Sequence, residues 1–472
     1  RGVPAGAGDL DITGATADSR KVKPGTLFAA LQGAAAHGRD FIPQAKAAGA
    51  IAVLSAGDVQ TDLPNVVSTD PRRALALAAA KLYPRQPATM VAVTGTNGKS
   101  STVDFLRQIW AKAGLKAASL GTLGAIGPNG VIDLGHTTPD PVAIHETLDQ
   151  LAGEGVTHGA MEASSHGLDQ RRLDGVRLAA GAFLNLTQDH LDYHRDMETY
   201  REAKLRLWSL LPKGAPAIVN ADAAEAPAFV EGGKKLGLNL VTAGWRAGPE
   251  GLKISEIQPH PNGQTLSLIW GGAETDVELP LIGEFQALNA VTAAALALSL
   301  GLPPKDVWAG MEALRPVKGR MEHVGATSAG AHVFVDYAHT PDGLNVLLRA
   351  ARPHAPGRIV LAFGCGGDRD TAKRAKMGAV ARKFADVIIV TDDNPRSEDP
   401  AAIRRQVLEG CPGAREIGER GQAIREGIAM LKPGDAFLIA GKGHETGQVI
   451  KGVTHPFSDQ DEAMKALRGV AV

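Results

Sequence analysis

An apolar run, Val91-Ala92-Val93-Thr94, feeds the turn Gly95-Thr96-Asn97-Gly98, and Lys99-Ser100-Ser101 then opens a segment expected to be helical through Trp110. This strand–turn–helix order restricts both fold and chemistry. Glycines let backbone N–H groups approach an anion, and a helix N-terminus adds positive potential. Lys99 is placed to reach terminal phosphates, and Ser100 to offer its hydroxyl to Mg²⁺. The common phosphate-loop spacing has glycine where Val93 stands, so this is a variant loop.

The residues just after the other apolar runs matter as much. Ala160-Met161 leads into Glu162-Ala163-Ser164-Ser165-His166, and Phe183-Leu184 into Asn185 and Gln188-Asp189-His190. Later runs lead into Asp336-Tyr337-Ala338-His339, Gly364–Asp370, Asp393-Asn394-Pro395-Arg396 and Gly441-Lys442-Gly443-His444-Glu445. Open parallel sheets bind ligands beyond the carboxyl ends of their strands. Two sheets presenting sites are therefore expected.

Punctuation divides the chain into three blocks. Tyr83–Pro87 and Arg315–Gly319 read as linkers, giving expected domains at 1–86, 87–314 and 315–472. The first mixes short strands at Thr26–Leu31 and Ala50–Leu54 with an Ala-rich helix from Arg72. The others alternate apolar runs with helical segments, as α/β domains do. With 472 residues, about two to four domains are expected, and a 44% hydrophobic share is ample for packed cores. Net charge is −1 and no long Lys/Arg run occurs, which argues against nucleic acid as partner. Two cysteines, Cys365 and Cys411, fit a reduced compartment. No secretory pattern opens the chain and no apolar 18-mer interrupts it, so a cytoplasmic protein without membrane insertion is expected. The chain begins at Arg1 rather than Met, so native residues are expected to precede it.

Several residues carry chemistry on their own terms. Glu162 and His190 suit Mg²⁺ beside bound triphosphate, although each alone reads more readily as a surface or capping residue. His190 and His194 stand four apart, but without the Glu of a zinc-protease helix, so a zinc pair is not expected. Arg320, after the second linker, is either a phosphate-reaching guanidinium or an ordinary linker charge. Asp393–Arg396 suits a zwitterion, Arg396 pairing with a carboxylate and Asp393 accepting from an ammonium, with Arg369 and Glu445 as a second pair. A capped turn with a surface ion pair is the plain alternative. Lys204 by itself is a solvated helix lysine.

Together these motifs, with Asp18-Ser19-Arg20, Thr137-Thr138-Pro139, Asp189–His194, Leu288-Asn289-Ala290 and Gly319-Arg320-Met321-Glu322, resemble the Mur ligase family over essentially the whole chain. The likeness is to its members that add meso-diaminopimelate to a UDP-linked peptidoglycan precursor. It implies a small N-terminal α/β domain for the UDP group and a central P-loop ATPase domain with a mostly parallel sheet. A C-terminal Rossmann-like domain would take the incoming amino acid.

Carried over by that likeness, Ser19 and Ala34, Ala35 and Ala36 would touch the UDP group. Thr137, Thr138, Ser164, Gln170 and Arg172 would position the muramoyl-dipeptide. ATP would meet Gly95, Thr96, Asn97, Gly98, Lys99, Ser100 and Ser101, together with Asn289, Arg320, Asp336 and His339. Mg²⁺ would be held by Ser100, Glu162, His190 and Lys204, with Lys204 modified to N6-carboxylysine by CO₂. Lys99, Glu162, His190, Lys204 and Arg320 would form the catalytic set. Diaminopimelate would meet Arg369, Asp393, Asn394, Pro395, Arg396, Gly441 and Glu445. His136, where many relatives have Asn, and the apolar Ala34–Ala36 depart from the family pattern. A monomer closing about its two linkers is expected. The rival readings are a folylpolyglutamate-type ligase and a non-catalytic ATP-sensing scaffold.

Overall fold

The computed structural model describes residues 8–33, 36–187, 189, 191–260 and 263–469. Four short strands come first: β1 (Gly14–Thr16), β2 (Thr26–Ala29), β3 (Ala50–Ser55) and β4 (Asn65–Val67) pair in that order, all parallel. Phe28, Ala45 and Val53 fill the core on one face. Leu75, from the helix Pro71–Leu82, packs with Ala29 and Leu54 on another. That helix starts where Asp70 accepts from the Arg73 N–H and Pro71 fills the first turn.

The second sheet runs through β5 (Thr89–Thr94), β6 (Ala117–Gly121), β7 (Gly124–Gly127), β8 (Gly130–Ile132), β9 (His158–Glu162), β10 (Ala180–Phe183), β11 (Pro216–Asn220) and β12 (Asn239–Gly244). Its order is β12-β11-β10-β5-β9-β6-β7-β8, parallel from β12 to β6 with an antiparallel β7–β8 edge. The chain departs from β5 toward β9 and β6 on one side and toward β10 and β11 on the other. The expected phosphate loop therefore leaves the sheet at its topological switch point, where such sheets bind ligands. The register fixes its neighbours, since Val93 pairs with Glu162 and Thr94 with Phe183.

Contact density divides the chain into two compact units: Arg1–Lys253 with Trp270–Gly272 and Asn289–Gly310, and Ile254–Ile269 with Ala273–Leu288 and Met311–Val472. The first holds both sheets above, although the sequence places a linker between them. That linker is fastened down: Arg85 pairs with Asp149 at 2.6 Å, and Gln86 exchanges two hydrogen bonds with the Arg177 backbone at 2.9 and 3.1 Å. Arg171–Asp70 at 3.1 Å and Arg73–Asp174 at 3.5 Å add cross-ties.

The second unit carries the order β16-β17-β21-β18-β19-β20, with β16 (Glu322–Ala326), β17 (His332–Asp336), β18 (Ile359–Phe363), β19 (Val387–Val390), β20 (Arg415–Glu416) and β21 (Ala436–Ala440). All pairs but β16–β17 are parallel. Apolar layers cover both faces, around Leu344, Met377 and Val407 on one and Ile424, Phe437 and Ala463 on the other. This is the expected α/β architecture. One element escapes a reading by apolar runs: the meander β13 (Leu252–His260), β14 (Gly263–Trp270) and β15 (Ala273–Leu279). Its strands bury Leu266, Leu268, Val277 and Leu279 on one face. The other face carries polar pairs such as Thr265–Glu278 and Ser267–Asp276, both at 2.7 Å. Such half-wet strands alternate rather than run apolar. A hairpin, β22 (Gly447–Ile450) and β23 (Val453–Pro456), comes after β21.

Candidate functional site

In the first unit the loop after β5 is clamped by Asn185, at the end of β10. Asn185 Oδ1 accepts from the Thr96 and Asn97 N–H groups at 3.1 and 2.9 Å, while its Nδ2 donates to the Asn97 carbonyl at 3.1 Å. Gly98 caps the helix Lys99–Lys112 with φ of 87°, a left-handed conformation that glycine adopts without strain. A Cβ there would lie 2.3 Å from Asn289 Oδ1, so Asn289 is packed directly on the loop. Lys99 Nζ curls back to the carbonyls of Gly95 and Thr96, both at 2.8 Å.

Glu162, 2% exposed, reaches this loop from the end of β9. Its Oε1 accepts from Ser100 Oγ and from the Thr122 N–H, both at 2.8 Å. A buried carboxylate beside a serine hydroxyl is a hard-oxygen pair of the kind Mg²⁺ takes. Among the described residues no group of three or more His, Cys, Asp or Glu gathers around it. His190, named above as a further ligand, lies outside the described residues, as do Ala34 and Ala35. His194 Nε2 is engaged with Ser165 Oγ at 2.9 Å.

Lys204 is not the solvated helix lysine that its local sequence suggests. From the helix Met197–Leu205 it is 1% exposed, donates to the Gly95 carbonyl at 2.8 Å and lies 4.4 Å over the Tyr200 ring. Burial, and then the Lys99 charge, hold its amine well below the usual lysine range. Two lysines thus share one carbonyl, and the buried one is biased toward the neutral amine. Burial also pushes the Tyr200 phenol up to about 12, so its OH stays protonated beside Thr96 Oγ1 at 3.2 Å.

A polar chain leads away from Glu162. Thr122 Oγ1 meets Thr137 Oγ1 at 2.9 Å, and Thr138 Oγ1 donates to the Glu162 carbonyl at 3.0 Å while accepting from the Ser164 N–H at 3.1 Å. Arg172 bonds to the Thr138 carbonyl and, at 2.7 Å, to Gln170 Oε1. The structure therefore gathers Thr137, Thr138, Ser164, Gln170 and Arg172 into one network. Ser19 opens the short 3-10 helix Ser19–Lys21 between β1 and β2, its Oγ donating to Gln44 Oε1 at 3.1 Å, and Ala36 is exposed.

The second unit presents its own cluster. Asp336, at the end of β17, accepts from the Met321 and Ala338 N–H groups, both at 2.7 Å, and burial raises its carboxyl. This ties down the loop carrying Arg320, whose guanidinium stacks 4.6 Å over Tyr337. His339 Nδ1 lies 2.9 Å from the Tyr337 carbonyl.

Asp393 and Asn394, after β19, are buried, and Arg396 adopts φ of 51°, a strained conformation for a non-glycine residue. Arg396 is held on both sides: its N–H donates to the Val449 carbonyl at 2.9 Å and its carbonyl accepts from the Lys451 N–H at 2.7 Å. Its Nη1 donates to the Gly367 carbonyl at 2.6 Å. Glu445 accepts from Asn394 Nδ2 at 2.8 Å, and Gly441 stands close against Asp393. Arg369 is exposed on the loop after β18.

Sequence reasoning passed over Thr122, Tyr200, Lys442 and the Arg420–Asp459 pair, and left Asn185 without a role. Asn185 and Thr122 could have been found, since both follow strand ends at the loaded edge of the sheet. Arg420 and Asp459, wholly buried and paired at 2.6 Å, support the strand ends from below: Arg420 donates to the Ala440 and Asp392 carbonyls at 3.0 and 3.3 Å.

Three family descriptions match the chain in order: "Mur ligase family, catalytic domain" over 11–90, "Mur ligase middle domain" over 93–297 and "Mur ligase, glutamate ligase domain" over 319–443. A relative from Chelativorans sp. (strain BNC1), named UDP-N-acetylmuramoyl-L-alanyl-D-glutamate--2,6-diaminopimelate ligase, is 51% identical over 98% of this chain and 96% of its own. A solved structure of an enzyme with the same name superposes with a TM-score of 0.73 at 32% identity, over 97% of this chain and 95% of that one. A Mycobacterium tuberculosis folylpolyglutamate synthase gives 0.64 at 18% identity, over 85% of this chain and 95% of its own, a likeness of fold alone. Among the described residues no helix is long and apolar enough to cross a membrane. By these matches and by its architecture, the chain belongs to the Mur ligase family.

Proposed function

We propose that this chain is an ATP-dependent ligase that joins meso-diaminopimelate to the γ-carboxylate of D-Glu in UDP-MurNAc-L-Ala-D-Glu, a step of peptidoglycan precursor synthesis. The observation that carries the amino-acid choice is the turn Asp393-Asn394-Pro395-Arg396, buried through Pro395 and half-buried at Arg396, with Asn394 bonded to Glu445, in a chain 51% identical to a ligase of that name. Domain limits at 1–86, 87–314 and 315–472 are supported by matches that break at 90–93 and 297–319.

In this reading the loop N–H groups and Lys99 hold the ATP phosphates, Lys99 trading its loop carbonyls for phosphate oxygens. Asn289, Arg320, Asp336 and His339 complete the nucleotide contacts. Ser19 and Ala34–Ala36 hold the UDP group, while Thr137, Thr138, Ser164, Gln170 and Arg172 aim the γ-carboxylate. A carboxylate oxygen attacks the γ-phosphorus and ADP leaves, giving an acyl phosphate. The amine of diaminopimelate then adds to the acyl carbon, loses a proton and expels phosphate. No protein nucleophile is needed; positioning and charge neutralisation carry the rate.

Ser100, Glu162, His190 and Lys204 would hold Mg²⁺, which neutralises phosphate charge when bound. The depressed pKa of Lys204 supports its carboxylation: a neutral amine adds CO₂ and releases one proton. That converts a buried nitrogen into an anionic oxygen ligand. Arg396 sets specificity. L-Lys lacks the distal carboxylate, and a site whose guanidinium, already bonded at Nη1 to the Gly367 carbonyl, takes that carboxylate as its charged partner rejects such an analogue by roughly 10⁴-fold. The UDP- and ATP-linked chemistry fits the cytoplasm, and every proposed group comes from one chain, as a monomer requires.

The test is product formation from UDP-MurNAc-L-Ala-D-Glu, ATP and Mg²⁺ with meso-diaminopimelate and, in parallel, with L-Lys. Tripeptide with diaminopimelate alone is expected. Comparable product with L-Lys would remove the Arg396 argument, and no product with either would remove the ligase.

A further inference from the structure

Behind the Asp393–Arg396 turn lies a cation for which the substrate contacts above have no use. Lys442 follows β21, and its side chain has no exposed surface. An ammonium stripped of water is tolerated only where charges and acceptors replace its hydration. Here Nζ donates to Glu445 Oε2 at 3.0 Å and to Asn394 Oδ1 at 3.1 Å. Asn394 closes the triangle, its Nδ2 donating to the same Glu445 Oε2 at 2.8 Å. Asn394 Oδ1 also accepts from the Val449 N–H at 2.9 Å.

The ammonium and the Val449 N–H together fix which way round the Asn394 amide sits, oxygen toward both donors and nitrogen toward Glu445, and of those two donors the ammonium alone also ties that amide to the Glu445 carboxylate. Both internal bonds to Glu445 fall on Oε2. The neighbouring buried cation does a different job. Arg420 is neutralised by Asp459 and bonds to backbone carbonyls of the strand ends. It cannot stand in for Lys442 at the Asn394 and Glu445 side chains.

We propose that Lys442 is a positioning residue for amino-acid recognition. Its buried ammonium sets Asn394 and Glu445 in the one arrangement that leaves Glu445 Oε1 for the ammonium of the incoming amino acid. The assignment rests on the reading above, in which Asp393–Arg396 and Glu445 meet that substrate.

The test separates the two half-reactions. Hydroxylamine traps the acyl phosphate formed from UDP-MurNAc-L-Ala-D-Glu, ATP and Mg²⁺ without any diaminopimelate. In Lys442→Met, hydroxamate formation stays within about twofold of wild type while the KM for diaminopimelate rises about tenfold or more. Lys442→Gln, which keeps a neutral donor, is measured alongside; it shows a smaller rise and is read alone where the Met variant does not fold. A diaminopimelate KM within about twofold of wild type in a folded variant overturns the proposal. So does a parallel loss of hydroxamate, which marks a residue that only supports the fold. Failure of the wild-type chain to form hydroxamate overturns instead the ligase reading beneath it.

Discussion

Gly121→Ala removes no proposed ligand, yet it should disable the Mg²⁺ and phosphate site. Gly121 ends β6 beside Glu162, and a Cβ at that position would lie 2.0 Å from Glu162 Oε1 and 2.5 Å from Cδ. Ordinary contact begins near 3.4 Å, so the carboxylate must move by more than an ångström. Glu162 is 2% exposed, and its Cγ would also lie 2.6 Å from the new Cβ, so turning the carboxylate end alone does not relieve the clash. Moving it breaks the 2.8 Å bonds from Ser100 Oγ and the Thr122 N–H. Overpacking of this kind costs about 1–3 kcal/mol, and each bond to a charged group about 1.5–3 kcal/mol when lost outright.

A melting point lowered by a few degrees is therefore expected. Activity should suffer more, because a displacement of about 1 Å at the reacting groups costs on the order of 10²-fold. The assay is phosphate release as a function of Mg²⁺ concentration. The half-saturating Mg²⁺ concentration rises and kcat falls, while the KM for diaminopimelate stays put. Gly57→Ala, where a Cβ meets nothing within 4 Å, is the control and behaves as wild type. A Gly121→Ala enzyme with a wild-type Mg²⁺ titration and unchanged kcat would refute the placement of Glu162 at the metal.

The same geometry sets three further outcomes. Arg396→Ala loses a charged partner worth about 3 kcal/mol, so kcat/KM for diaminopimelate falls about 10²-fold while hydroxylamine-trapped acyl phosphate persists; parallel loss of both would contradict the role. Enzyme depleted of CO₂ by sparging at mildly acidic pH loses turnover and regains it on adding bicarbonate, whereas Lys204→Ala does not respond to bicarbonate. His145 is buried with Nε2 unbonded, and burial lowers its pKa to about 4. Between that value and the unfolded 6.5, only the unfolded chain binds the proton, so stability falls as pH drops through this window. The loss is about 2 kcal/mol at pH 5, and His145→Leu removes it; an unchanged pH–stability curve in the variant would rule out His145 as the cause.

How much of this was legible beforehand differs from residue to residue. The β5–loop–helix unit was, because its strand is buried from Met90 onward and its glycines and Lys99 are local signals. Glu162 was half legible: it follows an apolar run, but only the β5–β9 register brings it to Ser100. Lys204 was opaque, since a helix lysine reads as solvated until the fold buries it against Gly95 and Tyr200. Lys442 and Arg420 were opaque for the same reason: Asn394 lies 48 positions from Lys442, beyond its near neighbour Glu445, and Asp459 lies 39 positions from Arg420. The β13–β15 meander was lost because half of each strand is polar. The three-block punctuation is a signal of composition alone, which does not show that Arg85 and Gln86 fasten the first linker down through Asp149 and Arg177.

In the proposed mechanism ATP activates the substrate carboxylate as an acyl phosphate, so a carboxylate oxygen leaves with the phosphate. Substrate labelled with ¹⁸O in the D-Glu γ-carboxylate, incubated with ATP, Mg²⁺ and meso-diaminopimelate, tests it directly by mass spectrometry of the released phosphate. One labelled oxygen in each phosphate is the predicted result. Unlabelled phosphate accompanying tripeptide formation would contradict the account.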